Sequence, residues 1–299
     1  MMPKRDSAPG LFDQQTMREL KALRLAFQRL RGESVSGHAS STGHGGRFEF
    51  TDHVPYACGD DLRFVDWQLY ARLGELYQKR FQSETKLNIL VYLDDSFSMT
   101  CPDRSPWRTA LWIAAGICHG YADVHTRVTL HKHSINSMGD VQTIPFGVTK
   151  NPGSALSCIR SWEFLGGRSV APVIPPEFAG GRNSVLLLVS DFQYAEPPEE
   201  LLAACAGKGM QISCICLVSD ALRAPETGRQ VELRDAETNE AVSLSLSEDL
   251  LSRYTELFQQ RQHRLEQSAR RIGAGWVELS TPNTVGNLFQ QMIQRGVLP

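Results

Sequence analysis

The 299-residue sequence has no uninterrupted run of about 18 apolar residues, so no membrane-spanning helix is expected. Lys4 and Arg5 are followed by no hydrophobic stretch, so no secretory signal is expected either, and a cytoplasmic protein is. Charge of one sign is not in excess. Lys+Arg 31 against Asp+Glu 33 leaves a net charge of −2, which provides no broad field for nucleic acid. The seven cysteines, Cys58, Cys101, Cys118, Cys158, Cys205, Cys214 and Cys216, include no CxxC pair, and the histidines form no HExxH, so neither a zinc site nor a redox dithiol is expected. No GxxxxGKS/T loop and no GxGxxG turn is present, which removes the usual phosphate cradles of nucleotide enzymes.

What remains is an ordinary globular composition, 41% hydrophobic and 21% charged. Leu20, Leu23, Phe27 and Leu30 recur at helical spacing and predict an amphipathic docking helix over 12–30. The Gly-, Ser- and His-rich stretch 31–46 predicts a loop. Three segments, 87–93, 184–190 and 211–218, are apolar at nearly every position, and shorter strands are expected at 127–132, 141–144 and 276–279. Helices are expected between them at 108–121, 155–164, 199–205, 249–271 and 284–294, and a hairpin over 230–246. Continuously apolar strands alternating with helices specify an α/β fold: an open, mostly parallel Rossmann-type sheet with helices on both faces. Residues 85–299 form this domain in the expected division, and 1–84 form a helical and irregular N-terminal extension.

The strand 87–93 runs into Asp94-Asp95-Ser96-Phe97-Ser98. Asp-x-Ser-x-Ser places a carboxylate and two hydroxyls in one turn, a donor set that suits magnesium. The plainer alternative is that Asp94 caps the following helix. The strand 184–190 also ends on an acid, Asp191. In open parallel sheets ligands gather at the carboxyl ends of the strands, so Asp94 and Asp191 can converge there, with a further hydroxyl from the Gly166-Gly167-Arg168-Ser169 loop.

Asp94, Ser96, Ser98, the loop hydroxyl of Ser169 and Asp191 together resemble the metal-ion-dependent adhesion site of the von Willebrand factor A domain. Ser169 stands where that family usually has threonine. The resemblance implies that Mg2+ (or Mn2+) is held by the two serines and the loop hydroxyl, with the aspartates binding directly or through water. It also implies an open coordination position for a partner's carboxylate. The segment Gly59-Asp60-Asp61-Leu-Arg63-Phe-Val-Asp66-Trp67, with Ala71-Arg72 after it, is similar to the signature of the bacterial domain-of-unknown-function fifty-eight family, which has an A-like half. Members typically accompany MoxR-type AAA+ ATPases, so the resemblance implies an adaptor or co-chaperone.

Read physically, Asp60, Asp61 and Asp66 interleave with Arg63 and Arg72 so that opposite charges can pair while Trp67 shields them, a clamp fastening the N-terminal segment to the A-like domain, with a direct partner surface as the alternative. The expected function is a non-catalytic, metal-dependent protein-interaction module. Two alternatives stay open: a metal-assisted hydrolase with Asp95 as base, and a metal-free structural scaffold. Enzyme motifs fail one by one. The serines lack a Gly-x-Ser-x-Gly context, and Ser96 occupies the place where phosphatases of the haloacid dehalogenase type need a second acid.

Overall fold

Strands that are apolar at every position must be covered on both sides, and those of this protein are. The computed structural model describes residues 11–34, 48–57, 62–83, 87–121, 126–135, 141–149, 152–161, 164, 181, 183–193, 199–223, 225, 230–236 and 238–298. They divide into two compact units, one of 1–29 with 87–299 and one of 30–86.

The larger unit is built on a six-stranded sheet. Its strands are β3 (Leu87–Asp94), β4 (Thr126–Ile135), β5 (Val141–Thr149), β6 (Ser184–Ser190), β7 (Gln211–Ser219) and β10 (Gly275–Thr281), ordered β10-β7-β6-β3-β4-β5. All neighbours are parallel except β5, which returns antiparallel along β4. Alternate residues of each central strand enter opposite cores. Ile89, Val91, Leu93, Val185, Leu187, Val189, Ile215 and Leu217 face one side, where they meet α1 (Gln14–Ser34), α3 (Ser105–Tyr121), α4 (Pro152–Arg160) and α8 (Val285–Gln294). Leu90, Tyr92, Leu186, Leu188, Cys214 and Cys216 face the other, with α5 (Glu199–Gly207) and α7 (Glu248–Arg271). The fold class is therefore the expected α/β arrangement with helices on both faces. Cys214 and Cys216 share one face, and burial pushes the Cys214 thiol up to about 12. His131 is buried, its ring parallel to that of Tyr92.

The first helix docks as its spacing predicts, with Leu20 and Phe27 buried in the core of this unit. Two glycines of α3 make the close approach possible. A Cβ on Gly116 would stand 2.3 Å from the Phe289 ring, and one on Gly120 would stand 2.6 Å from the Phe27 ring. Glycine to alanine normally strengthens a helix interior by up to about 1 kcal/mol. Here overpacking outweighs that gain, so Gly116→Ala is expected to destabilise the protein by about 1–2 kcal/mol, read from urea denaturation.

The smaller unit holds an antiparallel pair, β1 (Phe48–Pro55) with β2 (Tyr77–Ser83), and a short helix α2 (Trp67–Leu73). Neither α2 nor β1 was expected. Asp66 caps α2, its Oδ1 accepting from the backbone of Gln68 and Leu69, and Gly74 ends it at φ 73° in the left-handed region. Of the signature residues, Gly59, Asp60 and Asp61 lie outside the described residues. The expected clamp is corrected at two points. The Asp66 carboxylate pairs with His53 Nε2 at 2.9 Å and Lys79 Nζ at 3.3 Å, and these partners hold it well below the usual carboxylate range. The Trp67 side chain is 58% exposed and stacks edge-on to Tyr70, so it is not buried as a cover over charges, and Arg63 and Arg72 are exposed as well.

Candidate metal centre at the carboxyl end of the sheet

Because β3 and β6 are parallel neighbours in register, Leu93 opposite Val189, the chain leaves both strands at the same end of the sheet. Asp94 is the last residue of β3, and Asp191 follows the last residue of β6. The two carboxylates are 4% and 7% exposed.

After Asp94 the backbone enters a one-turn 3-10 helix over Phe97–Thr100, and the aspartate organises that turn: Asp94 Oδ1 accepts from the Ser96 amide at 2.9 Å. The Ser96 and Ser98 hydroxyls lie 2.9 Å apart, within a single hydrogen bond, so both oxygens can serve one centre. The Ser98 hydroxyl lies near enough to Asp191 to favour its charged form, and the two side chains line one cleft. Thus Asp94, Ser96, Ser98 and Asp191 meet. Ser169 lies outside the described residues.

Ser190 is a member of the cluster that sequence reasoning missed. Its Oγ donates to Asp94 Oδ2 at 2.7 Å and accepts from the Phe192 amide at 2.8 Å. The turn that allows this holds Phe192 at φ 54°, an uncommon conformation for a residue other than glycine and one that clusters at functional sites. Arg261 of α7 braces the same turn, donating to the Phe192 carbonyl at 2.7 Å and to Gln193 Oε1 at 2.6 Å. The seryl-aspartate ending of the strand was visible in sequence. Nothing distinguished Arg261 from the other arginines of its helix.

Electrostatically the centre is short of positive charge. Burial, and then the charge of Asp191, push the Asp94 carboxyl up to about 7, and burial also raises Asp191. Arg261 is the cation that partly offsets this at Asp191. Asp95 plays a different part from its neighbour. It is 1% exposed, with Oδ1 accepting from Trp107 Nε1 at 3.0 Å and Oδ2 paired to Lys132 Nζ at 3.2 Å. With both oxygens engaged by buried partners, it is not placed as the general base that a hydrolase would need.

All the donors of the centre are oxygens, two carboxylates and two or more hydroxyls. Among the described residues no three His, Cys, Asp or Glu side chains converge, which leaves hydroxyls to complete any coordination. Beside Ser98 and Asp191 opens a cleft of about 510 Å³. The turn of the hairpin formed by β8 (Gln230–Arg234) and β9 (Ala241–Ser245) lines it, as do the four-residue helix α6 (Asp220–Arg223) and one face of α7.

Residues 52–145 match the family model described as "Protein of unknown function DUF58", so the resemblance read from the signature segment is shown over that part of the chain. No curated protein matches the sequence. Similar solved structures include the conserved hypothetical protein BatB from Bacteroides thetaiotaomicron, 15% identical, with 70% of this chain and 98% of that one covered and a TM-score of 0.40. A von Willebrand factor type A protein from Catenulispora acidiphila is 10% identical, with 73% and 44% covered and a TM-score of 0.41. Proximal thread matrix protein 1 from the mussel byssus, in a form with a zinc-occupied MIDAS motif, is 11% identical, with 71% and 48% covered and a TM-score of 0.41. At such scores these likenesses carry nothing about the residues of the site. Among the described residues no helix is long and apolar enough to cross a membrane.

Proposed function

We propose that this protein is a non-catalytic, metal-dependent protein-interaction module that docks a partner's carboxylate on a divalent cation. Ser96 and Ser98 would hold the ion together with Asp94 and Asp191, and Ser169 would supply the loop hydroxyl. The observation that carries the reading is the meeting of two nearly buried carboxylates, from adjacent parallel strands, with a pair of serine hydroxyls. Two such acids repel each other and lose hydration, and a small hard cation relieves both costs. An all-oxygen donor set with neutral hydroxyls suits Mg2+ or Mn2+ and would leave the ion net positive charge with which to bind an anion.

The chain itself supplies the rest. Ser190 orients Asp94, the Gln193 amide donates to the Asp191 carboxylate, and Arg261 fixes the turn between β6 and the cleft. The family resemblance over 52–145 supports a narrower reading as well: an adaptor or co-chaperone to a MoxR-type AAA+ ATPase, working in the cytoplasm where such a partner finds ATP.

The test is a thermal melt in EDTA against added MgCl2. A ligand held only by the native state stabilises it by RT ln(1 + [L]/Kd), about 2.7 kcal/mol at a hundredfold excess over Kd. The wild type is expected to shift upward, and Asp94→Ala is expected to lose the shift. A purified MoxR-type ATPase from the same genome should be retained by the wild type in Mg2+ but released by EDTA, and should not be retained by Asp94→Ala. Absence of any shift at millimolar Mg2+ or Mn2+ would leave a metal-free scaffold.

A further inference from the structure

We infer that the cleft beside the metal centre selects a segment in which an acidic residue is immediately adjacent to a large apolar one, so that the partner is read by two neighbouring side chains. This inference rests on the metal reading above and names what that site takes.

The cleft has walls of opposite character. On one side stand Ser98 and Asp191, the edge of the metal centre. On the other, Tyr254, Leu257 and Phe258 project from α7 at positions i, i+3 and i+4, a single helical face, and Leu222 joins them from α6. Leu257 is 57% exposed and Leu222 38% exposed. Apolar side chains left in water against a polar centre are what an interaction site presents. The rings of Tyr254 and Phe258 stack at 6.1 Å.

The wall is held in place before any ligand arrives. The Tyr254 hydroxyl donates to the Leu222 carbonyl at 2.6 Å, joining α7 to α6, and Arg261 joins α7 to the turn after β6. A prepositioned surface loses little ordering entropy on binding. A volume of about 510 Å³ is within the usual range for a bound small group and exceeds what one carboxylate fills.

Charge fixes which end of the segment faces which wall. Asp191 and Asp235 outnumber Arg261 on the lining of the cleft, so an anion is repelled until a divalent ion offsets the acids. The third side of the cleft belongs to the hairpin turn, where Asp235 Oδ1 accepts from the Thr238 amide at 2.7 Å and its own amide donates to the Glu240 carbonyl. That acid disfavours a carboxylate on the hairpin side. The partner's acid is therefore directed to the cation, and its apolar neighbour to the α7 wall.

The experiment pans a displayed library of random heptapeptides with a fixed central aspartate against the full chain in MgCl2. Enrichment of Leu, Ile, Met or Phe next to the aspartate is expected. The best synthetic peptide should bind Leu257→Ser and Leu222→Ser about tenfold more weakly than wild type by fluorescence anisotropy, the loss of one apolar contact. Both variants should keep the Mg2+-dependent rise in Tm, because both side chains are exposed. Three results would overturn the inference while leaving the metal reading intact: aspartate selected with no apolar neighbour, an apolar preference that both serine variants retain, or no binder although Mg2+ raises the wild-type Tm. Binding that ignores EDTA, with no Mg2+ shift, would remove the metal reading and this inference together.

Discussion

Lys132→Ala is expected to lower the stability of the protein by about 3–5 kcal/mol, the cost of leaving one member of a buried ion pair without its partner. Lys132 is 5% exposed and Asp95 is 1% exposed, so the pair sits where water cannot take over. The ammonium reaches Asp95 Oδ2 at 3.2 Å, and Trp107 Nε1 serves Oδ1 at 3.0 Å. Without the lysine the carboxylate loses its buried cation, and more of its desolvation falls on the native state. Urea denaturation followed by circular dichroism reads the loss. The double variant Asp95→Asn/Lys132→Met is expected to recover much of it, because it removes both charges while roughly keeping their volumes. A double variant no more stable than Lys132→Ala would show that the two side chains are not coupled. The pair also bears on the metal centre. Asp95 stands between Asp94 and Ser96 in the chain, so anchoring it fixes the backbone that carries two of the proposed ligands. Lys132→Ala is therefore expected to reduce the Mg2+-dependent rise in Tm as well.

What the sequence made legible follows from where each residue is buried. Strands β3, β6 and β7 could be read directly, since covering on both faces demands an apolar residue at nearly every position and few other elements do. Asp94, Ser96 and Ser98 were legible because three oxygen-bearing side chains at a spacing of two, after such a strand, have little reason to occur without a shared target. Asp191 was legible by the same logic. Helix α2 was hidden by its shortness, seven residues with charges on either side, although its signals were present in Asp66 at the start and Gly74 at the end. Strand β1 alternates too weakly for its period to register. The roles of Asp95 and Ser190 depended on something else, the order of strands. Lys132 is 37 residues from Asp95, and Ser190 is 96 from Asp94, so each pairing appears only once β4 and β6 are known to flank β3. The apolar wall of the cleft was illegible for a related reason. Leu257 and Phe258 belong to a helical pattern that spacing alone assigns to packing, and only the position of the hairpin and α6 shows Leu257 open to solvent.

In EDTA, the Asp94 carboxyl is expected to make the Tm of the wild type fall as the pH rises from about 5 to about 8. Burial first, and the charge of Asp191 second, raise the Asp94 carboxyl from 3.8 to about 7 in the folded protein. In the unfolded chain it titrates near its ordinary value of about 3.9. Between those values the native state holds a proton that the unfolded state has lost. Stability from this group is therefore fully present below about 4 and disappears as the pH passes through about 7. His119 works in the opposite sense. Burial lowers its pKa, so its contribution rises with pH as the unfolded chain releases the proton that the native state does not hold. Asp94→Asn separates the two. It keeps the shape and the acceptor for the Ser96 amide, removes the repulsion with Asp191, and should melt higher than the wild type in EDTA at pH 8, with the falling component reduced to the share of Asp191, which burial also raises. A slope unchanged in Asp94→Asn would assign the titration elsewhere. On the proposed metal reading, Mg2+ is expected to reverse the wild-type profile, because protons and metal would compete for the same carboxylates and affinity would grow as the protons leave. The gap between the Mg2+ and EDTA curves is thus expected to widen from pH 5 to pH 8 in the wild type and to stay closed in Asp94→Asn.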